Sequence, residues 1–172
     1  SGPSGHDLDR LIALADTAGR LVRLTFAPGD DIHGTLSPDR RFMVFSTSTW
    51  NLRMQYDIAV MDLRSHRVRQ LTGGNDADHS PQWSPDGTRI AFERVRHQDL
   101  AGSRPSDLCV MTVSGRILRC SRPDSGLQFS VVTWRDSTSL LVNRQGPADS
   151  DFGILDLRTG RFTPLLIDGE TR

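Results

Sequence analysis

One phrase occurs twice in this chain, first as Leu36-Ser37-Pro38-Asp39-Arg40-Arg41-Phe42-Met43-Val44-Phe45 and again as Trp83-Ser84-Pro85-Asp86-Gly87-Thr88-Arg89-Ile90-Ala91-Phe92. A weaker echo, Trp134-Arg135-Asp136-Ser137-Thr138-Ser139-Leu140-Leu141-Val142, follows at a similar interval. A repeating unit of that size cannot bury its apolar side chains alone, so it must stack on its neighbours. The repeat therefore excludes an ordinary single-core fold.

A second element recurs in step with the first. Asp57-Ile58-Ala59-Val60-Met61-Asp62, Asp107-Leu108-Cys109-Val110-Met111-Thr112 and Asp151-Phe152-Gly153-Ile154-Leu155-Asp156 share one pattern. Each is followed by a turn (Arg64-Ser65-His66, Ser114-Gly115, Arg158-Thr159-Gly160) and then by another short β-run. Each unit thus reads as four strands, the blade of a β-propeller. The expected fold is all-β, with about three four-stranded blades over 31–72, 78–121 and 127–166. Two N-terminal strands over 8–26 form a half blade, and residues 1–7 are a flexible lead-in or an expression remnant.

The turn inside the phrase has a mechanism. Proline presets φ, Asp bonds nearby backbone, and Gly87 accepts a positive φ. Arg40 replaces that glycine in the first unit, and the third unit lacks the proline. At the N-terminus, Leu8, Leu11, Ile12 and Ala15 follow helical spacing behind Asp7, so a short helix competes with strands there. We read strands, because Asp16 and Thr25 match Asp62 and Thr72 when the segment is laid on the next unit.

Formal charge is zero, 21 basic residues against 21 acidic ones, and every basic residue is Arg. No global field favours nucleic acid or an anionic membrane. No apolar run approaches the roughly 18–20 residues of a membrane span, so membrane insertion is not expected.

Four groups of residues are candidates for chemistry. A two-residue turn at Ser114-Gly115 would set Cys109 opposite Cys120 as a hydrogen-bonded pair, which leaves a disulfide and two reduced, buried thiols as open alternatives. Asp78 and His79 end an acidic loop that enters the first strand of a blade, with a counterpart at Asp31. A solvated turn whose aspartates cap local backbone N–H groups explains them better than a metal site does, and no zinc or calcium spacing is present. Trp50, Arg53 and Tyr56 combine aromatic and guanidinium character typical of interfaces, and Arg96 and His97 lie in a long loop able to carry binding. Asp57, Asp107 and Asp151 recur in every unit and read as scaffold, while Trp83 and Trp134 share one repeat position and read as packing between blades.

Trp83-Ser84-Pro85-Asp86-Gly87 with Ile90-Ala91-Phe92, and Val60-Met61-Asp62-Leu63 with Arg69-Gln70-Leu71-Thr72, resemble the repeats of TolB-type propellers. The resemblance spans residues 8–166 and implies a propeller that commonly has six blades, with related repeats in prolyl-oligopeptidase-like and tricorn-like peptidases. Against that pattern the chain supplies about three and a half blades. It is expected to be a fragment of a larger propeller, an incomplete ring that closes by self-association into a homo-oligomer, or an unusual small propeller.

No nucleophile elbow, His-Glu-x-x-His, phosphate loop or dinucleotide fingerprint is present. The expectation is a non-catalytic scaffold for a protein or peptide partner, without cofactor, metal or nucleic acid, in the periplasm or another extracytoplasmic space. The propeller portion of a prolyl-oligopeptidase-like hydrolase and the sensor module of a membrane-anchored regulator are the alternatives.

Overall fold

The structure, a computed structural model, describes residues 12–15, 18–26, 28–50, 55–96, 106–121, 127–146 and 150–165. All regular structure among them is strand. A hairpin of β1 (Ala13–Ala15) and β2 (Leu21–Arg23) comes first. Blade 1 contains β3 (Asp31–Leu36), β4 (Phe42–Thr47), β5 (Asp57–Asp62) and β6 (Val68–Gln70). Blade 2 contains β7 (Ala77–Trp83), β8 (Arg89–Val95), β9 (Ser106–Thr112) and β10 (Ile117–Ser121). Blade 3 contains β11 (Gln128–Asp136), β12 (Ser139–Gln145), β13 (Ser150–Asp156) and β14 (Phe162–Pro164). Each blade is an antiparallel meander in sequence order. The first strands of successive blades touch, β3 against β7 and β7 against β11, so they form the inside of an arc.

The leading hairpin repeats the outer half of a blade. Leu24 N donates to Ile12 O and Ile12 N to Thr25 Oγ1, as Leu71 N donates to Ile58 O and Ile58 N to Thr72 Oγ1. Residues 13–15 are therefore strand and not helix, while residues 8–11 lie outside the described residues.

Alternation along each strand makes both faces of a blade apolar, and where two sheets meet the facing side chains are buried between them. Val44 and Ile58 of blade 1 meet Ile90, Phe92, Cys109 and Met111 of blade 2. On the other face of blade 2, Ala91, Leu108 and Val110 meet Phe129, Trp134, Leu140 and Leu155 of blade 3. Leu24 of the hairpin covers Met43, Phe45, Ala59 and Met61. Polar links cross the same seams. Trp134 Nε1 donates to Gln82 O at 3.0 Å and Val131 N to Glu93 Oε1 at 3.0 Å. On the outside, Arg69 donates to the carbonyls of Val113 and Ser114, and Arg119 to those of Leu157 and Arg158.

The repeated turn is wired alike in blades 1 and 2. Ser37 Oγ donates to Asp39 Oδ1 and accepts from Phe42 N, and Ser84 Oγ donates to Asp86 Oδ1 and accepts from Arg89 N. The position after the aspartate has positive φ in both, 56° at Arg40 and 69° at Gly87.

Cys109 and Cys120 are bridged. The route to that pairing differs from a two-residue turn. Thr112 N donates to Arg116 O, so the loop holds three residues, Val113 to Gly115, with Gly115 at φ 95°. An extra residue between the Ile117–Met111 and Arg119–Val110 pairs then restores the register that sets Cys120 opposite Cys109. Their Cα atoms are 4.0 Å apart, the spacing of a narrow antiparallel pair and not of the wide hydrogen-bonded one that the shorter turn implied.

Candidate functional site

The inner strands start, and the second strands of each blade end, at one mouth of the arc. Register places three residues of each blade in a row there: Asp31–Thr47–Asp57, Asp78–Arg94–Asp107 and Phe129–Arg144–Asp151. In blade 2 the row is an ion-pair network. Arg94 grips Asp78 with both carboxylate oxygens engaged, at 2.7 and 2.8 Å, and Arg96 pairs with Asp107. Blade 3 repeats it with Arg144 on Asp151 at 2.6 Å. In blades 2 and 3 the aspartate that starts the third strand thus bonds an arginine at the end of the second, which gives it a structural role there.

Blade 1 departs from this scheme, because Thr47 stands where Arg94 and Arg144 stand. Asp57, 2% exposed, accepts only the Gln70 amide at 3.1 Å through Oδ2, and its Oδ1 has no hydrogen-bond partner. Burial, then the charge of Asp78, push its carboxyl up to about 6 against the opposing effects of Gln70 and Arg94.

Tyr56, Asp78 and His79 meet where blades 1 and 2 join. Tyr56 O accepts from Asp78 N at 2.7 Å, Tyr56 OH donates to Asp30 Oδ2 at 2.9 Å, and the Tyr56 ring lies 5.0 Å from the His79 ring. Burial first, then His33, hold His79 below the ordinary imidazole value, with Asp78 acting against them. The adjoining inner strands are bulged. His33 and Ser80 occupy equivalent positions with φ of 56° and 51°, and register breaks follow Ile32 and His79. Such backbone persists only where its surroundings hold it, and bulges re-aim the flanking side chains. Glu93 anchors the second bulge, accepting from Ser80 and Val131, and its burial raises its carboxyl.

The sequence-derived candidates therefore separate. Tyr56, Asp78 and His79 converge, and Arg96 joins Asp107 at the same end of blade 2. Trp50, 42% exposed, lines a cleft of about 310 Å³ with Leu24, Phe26, Phe45 and Thr47, against the leading hairpin. Arg53 and His97 lie outside the described residues. Among the described residues no group of His, Cys, Asp and Glu is assembled to hold a metal ion. Arg94, Arg144 and Glu93 were missed by motif reading; aligning the second strands of the repeats as a column would have exposed the first two.

These blades define an open arc of a TolB-like β-propeller. A family model, the dipeptidyl peptidase IV N-terminal region, matches residues 37–100. Among curated proteins no relative is matched. Of solved structures, a TolB protein of Agrobacterium tumefaciens superposes with a TM-score of 0.72 at 19% identity, over 91% of this chain and 56% of that one. TolB from Acinetobacter baumannii gives 0.70 at 15% identity, over 91% of this chain and 37% of that one. The tricorn protease gives 0.71 at 14% identity, over 91% and 20%. The chain thus spans between about half and a third of the TolB structures it resembles.

Proposed function

We propose that this propeller arc is a non-catalytic scaffold that binds a protein or peptide partner at the mouth formed by Tyr56, Asp78 and His79. The Tyr56–His79 ring pair, set on bulged inner strands between two blades, is the observation that carries this reading. It offers a partner an aromatic platform beside an imidazole that burial holds below its ordinary value, with Asp78 locked behind it by Arg94. Aromatic and arginine anchors of this kind dominate interface energetics. The Cys109–Cys120 bridge and the TolB-like fold support an extracytoplasmic home. Phe152, 52% exposed on blade 3, and Phe26, 70% exposed by the leading hairpin, support closure of the ring with a second copy.

The test is capture of partners on the immobilised chain, with Tyr56→Ala and His79→Ala beside the wild type. A partner held by the wild type and lost by both variants supports the mouth; equal retention by all three overturns it. Sedimentation at several concentrations tests self-pairing, which a strict monomer at micromolar concentration rules out.

A second reading has its own support in the family-model match and the tricorn likeness: the arc as the propeller portion of a peptidase, gating access to a catalytic domain. Hydrolysis of peptide anilides by the full-length gene product, absent from this chain alone, favours it.

A further inference from the structure

At the end of the arc opposite the mouth, blades 1 and 2 stand apart over a groove of about 840 Å³. Phe42 and Val60 form one wall, and Trp83 and Val113 the other. The corresponding junction one blade on is closed. There the Arg89 guanidinium lies over Trp134, 5.3 Å from the ring centroid, and donates to Ser137 O, while Trp134 Nε1 donates to Gln82 O. Phe42 pairs with Asp62 as Arg89 pairs with Thr112, so Phe42 stands in the place of Arg89 and Trp83 in that of Trp134. The first junction therefore has the indole but no arginine to cover it. Trp83 Nε1 is buried and has no hydrogen-bond partner among the described residues, so the indole meets the groove through its ring and not through its N–H.

The charges along the groove indicate what fits. Asp39, Asp62 and Asp86 line it, and bonds within their own turns hold all three carboxyls below the usual carboxylate range. Asp62 and Asp86 have arginines nearby, Arg41 at 3.4 Å and Arg89 at 3.7 Å. Asp39 has no ion pair among the described residues. Two arginines also line the groove. The guanidinium of Arg69 is directed to the carbonyls of Val113 and Ser114, so of the three carboxylates Asp39 is the one that no ion pair engages among the described residues.

We propose that this groove binds an arginine side chain of a protein or peptide partner, its guanidinium lying over the Trp83 ring and pairing with Asp39. A planar cation both stacks on an indole and forks onto a carboxylate, which an ammonium does not, and the apolar walls suit the methylenes of the stem. The Arg89–Trp134 contact is the same arrangement made within the chain. The groove is at the far end from Tyr56 and His79, so this site stands or falls apart from the mouth.

The experiment is an NMR titration of the intact ¹⁵N-labelled chain with acetyl-Gly-Arg-Gly-amide and its lysine and citrulline analogues. The arginine peptide is expected to shift the Trp83 indole N–H and the amides of Asp39 and Val113 saturably. The citrulline peptide should bind at least tenfold more weakly, with lysine between. Asp39→Asn keeps an acceptor for Ser37 and Arg41 N, and should reduce arginine binding to the citrulline level. Phe42→Arg supplies the guanidinium in cis and should abolish binding; if that variant does not fold, Asp39→Asn decides alone. Equal binding of arginine and citrulline, undiminished binding by Asp39→Asn, shifts confined to other faces, or no binding by any peptide overturns the proposal.

Discussion

Arg40 holds at φ 56° the backbone position that Gly87 holds at 69° one blade on. Only glycine adopts that region without crowding its own Cβ, so the first blade carries strain that the second avoids. Arg40→Gly should stabilise the protein by about 0.5–1 kcal/mol, and Gly87→Ala should destabilise it by about 1 kcal/mol. A Cβ at Gly87 meets Pro38 at an ordinary 3.6 Å, so the cost is conformational. Urea midpoints of the two variants measure both.

Asp57 predicts a pH dependence opposite to that of the turn aspartates. Its carboxyl rises from 3.8 to about 6 in the fold, facing Asp78, Arg94 and Gln70. Below pH 4 both states are protonated and the group is neutral to stability. Between about pH 4 and 6 the unfolded chain ionises first, and above 6 the fold bears the whole penalty, about 2–3 kcal/mol. Asp57→Asn should therefore stabilise at pH 7 and lose that advantage as pH falls to 4. Asp39, Asp86 and Asp136 have lowered values and favour the fold less as pH falls, so the quantity to measure is the variant minus the wild type across that range.

The Cys109–Cys120 bridge closes a short loop, with a sequence separation of 11. Reduction, or replacement of both cysteines by serine, should cost about 2–3 kcal/mol. Thiol titration in denaturant without reductant should find no free cysteine, and one or more titratable thiols would contradict the bridge.

Trp134 joins blade 3 to blade 2 through its N–H and its ring. Trp134→Phe removes the bond to Gln82 O and should cost about 1 kcal/mol, whereas Trp134→Ala opens a cavity and should cost about 3–5 kcal/mol. Near-equal denaturation midpoints for the two variants would place the stabilisation elsewhere.

The repeated turn was legible because its chemistry is local: Ser, Pro and Asp act within five residues, and the φ conflict at Arg40 shows in a bare alignment. The leading strands were legible through Thr25 and Thr72, which cap the same strand start. The blade 2 hairpin was half legible. The cysteine pairing came out right, but a three-residue loop and one extra residue, two shifts that cancel, lie below the resolution of pattern reading. The carboxylate–arginine rows were hidden because Arg94 and Arg144 lie inside strands, where an arginine resembles a solvated side chain, and unequal loops blur their spacing. The Tyr56–His79 pairing joins two blades, and no spacing along one blade encodes it.

The outer arginines give the arc a direction. Arg69 and Arg119 each reach forward to the next blade. Peeling away the last blade would strand the Arg119 guanidinium, while shedding the first hairpin would leave both clasps shut. Mechanical or proteolytic erosion should therefore meet unequal resistance at the two ends, with the trailing blade tied down by its predecessor.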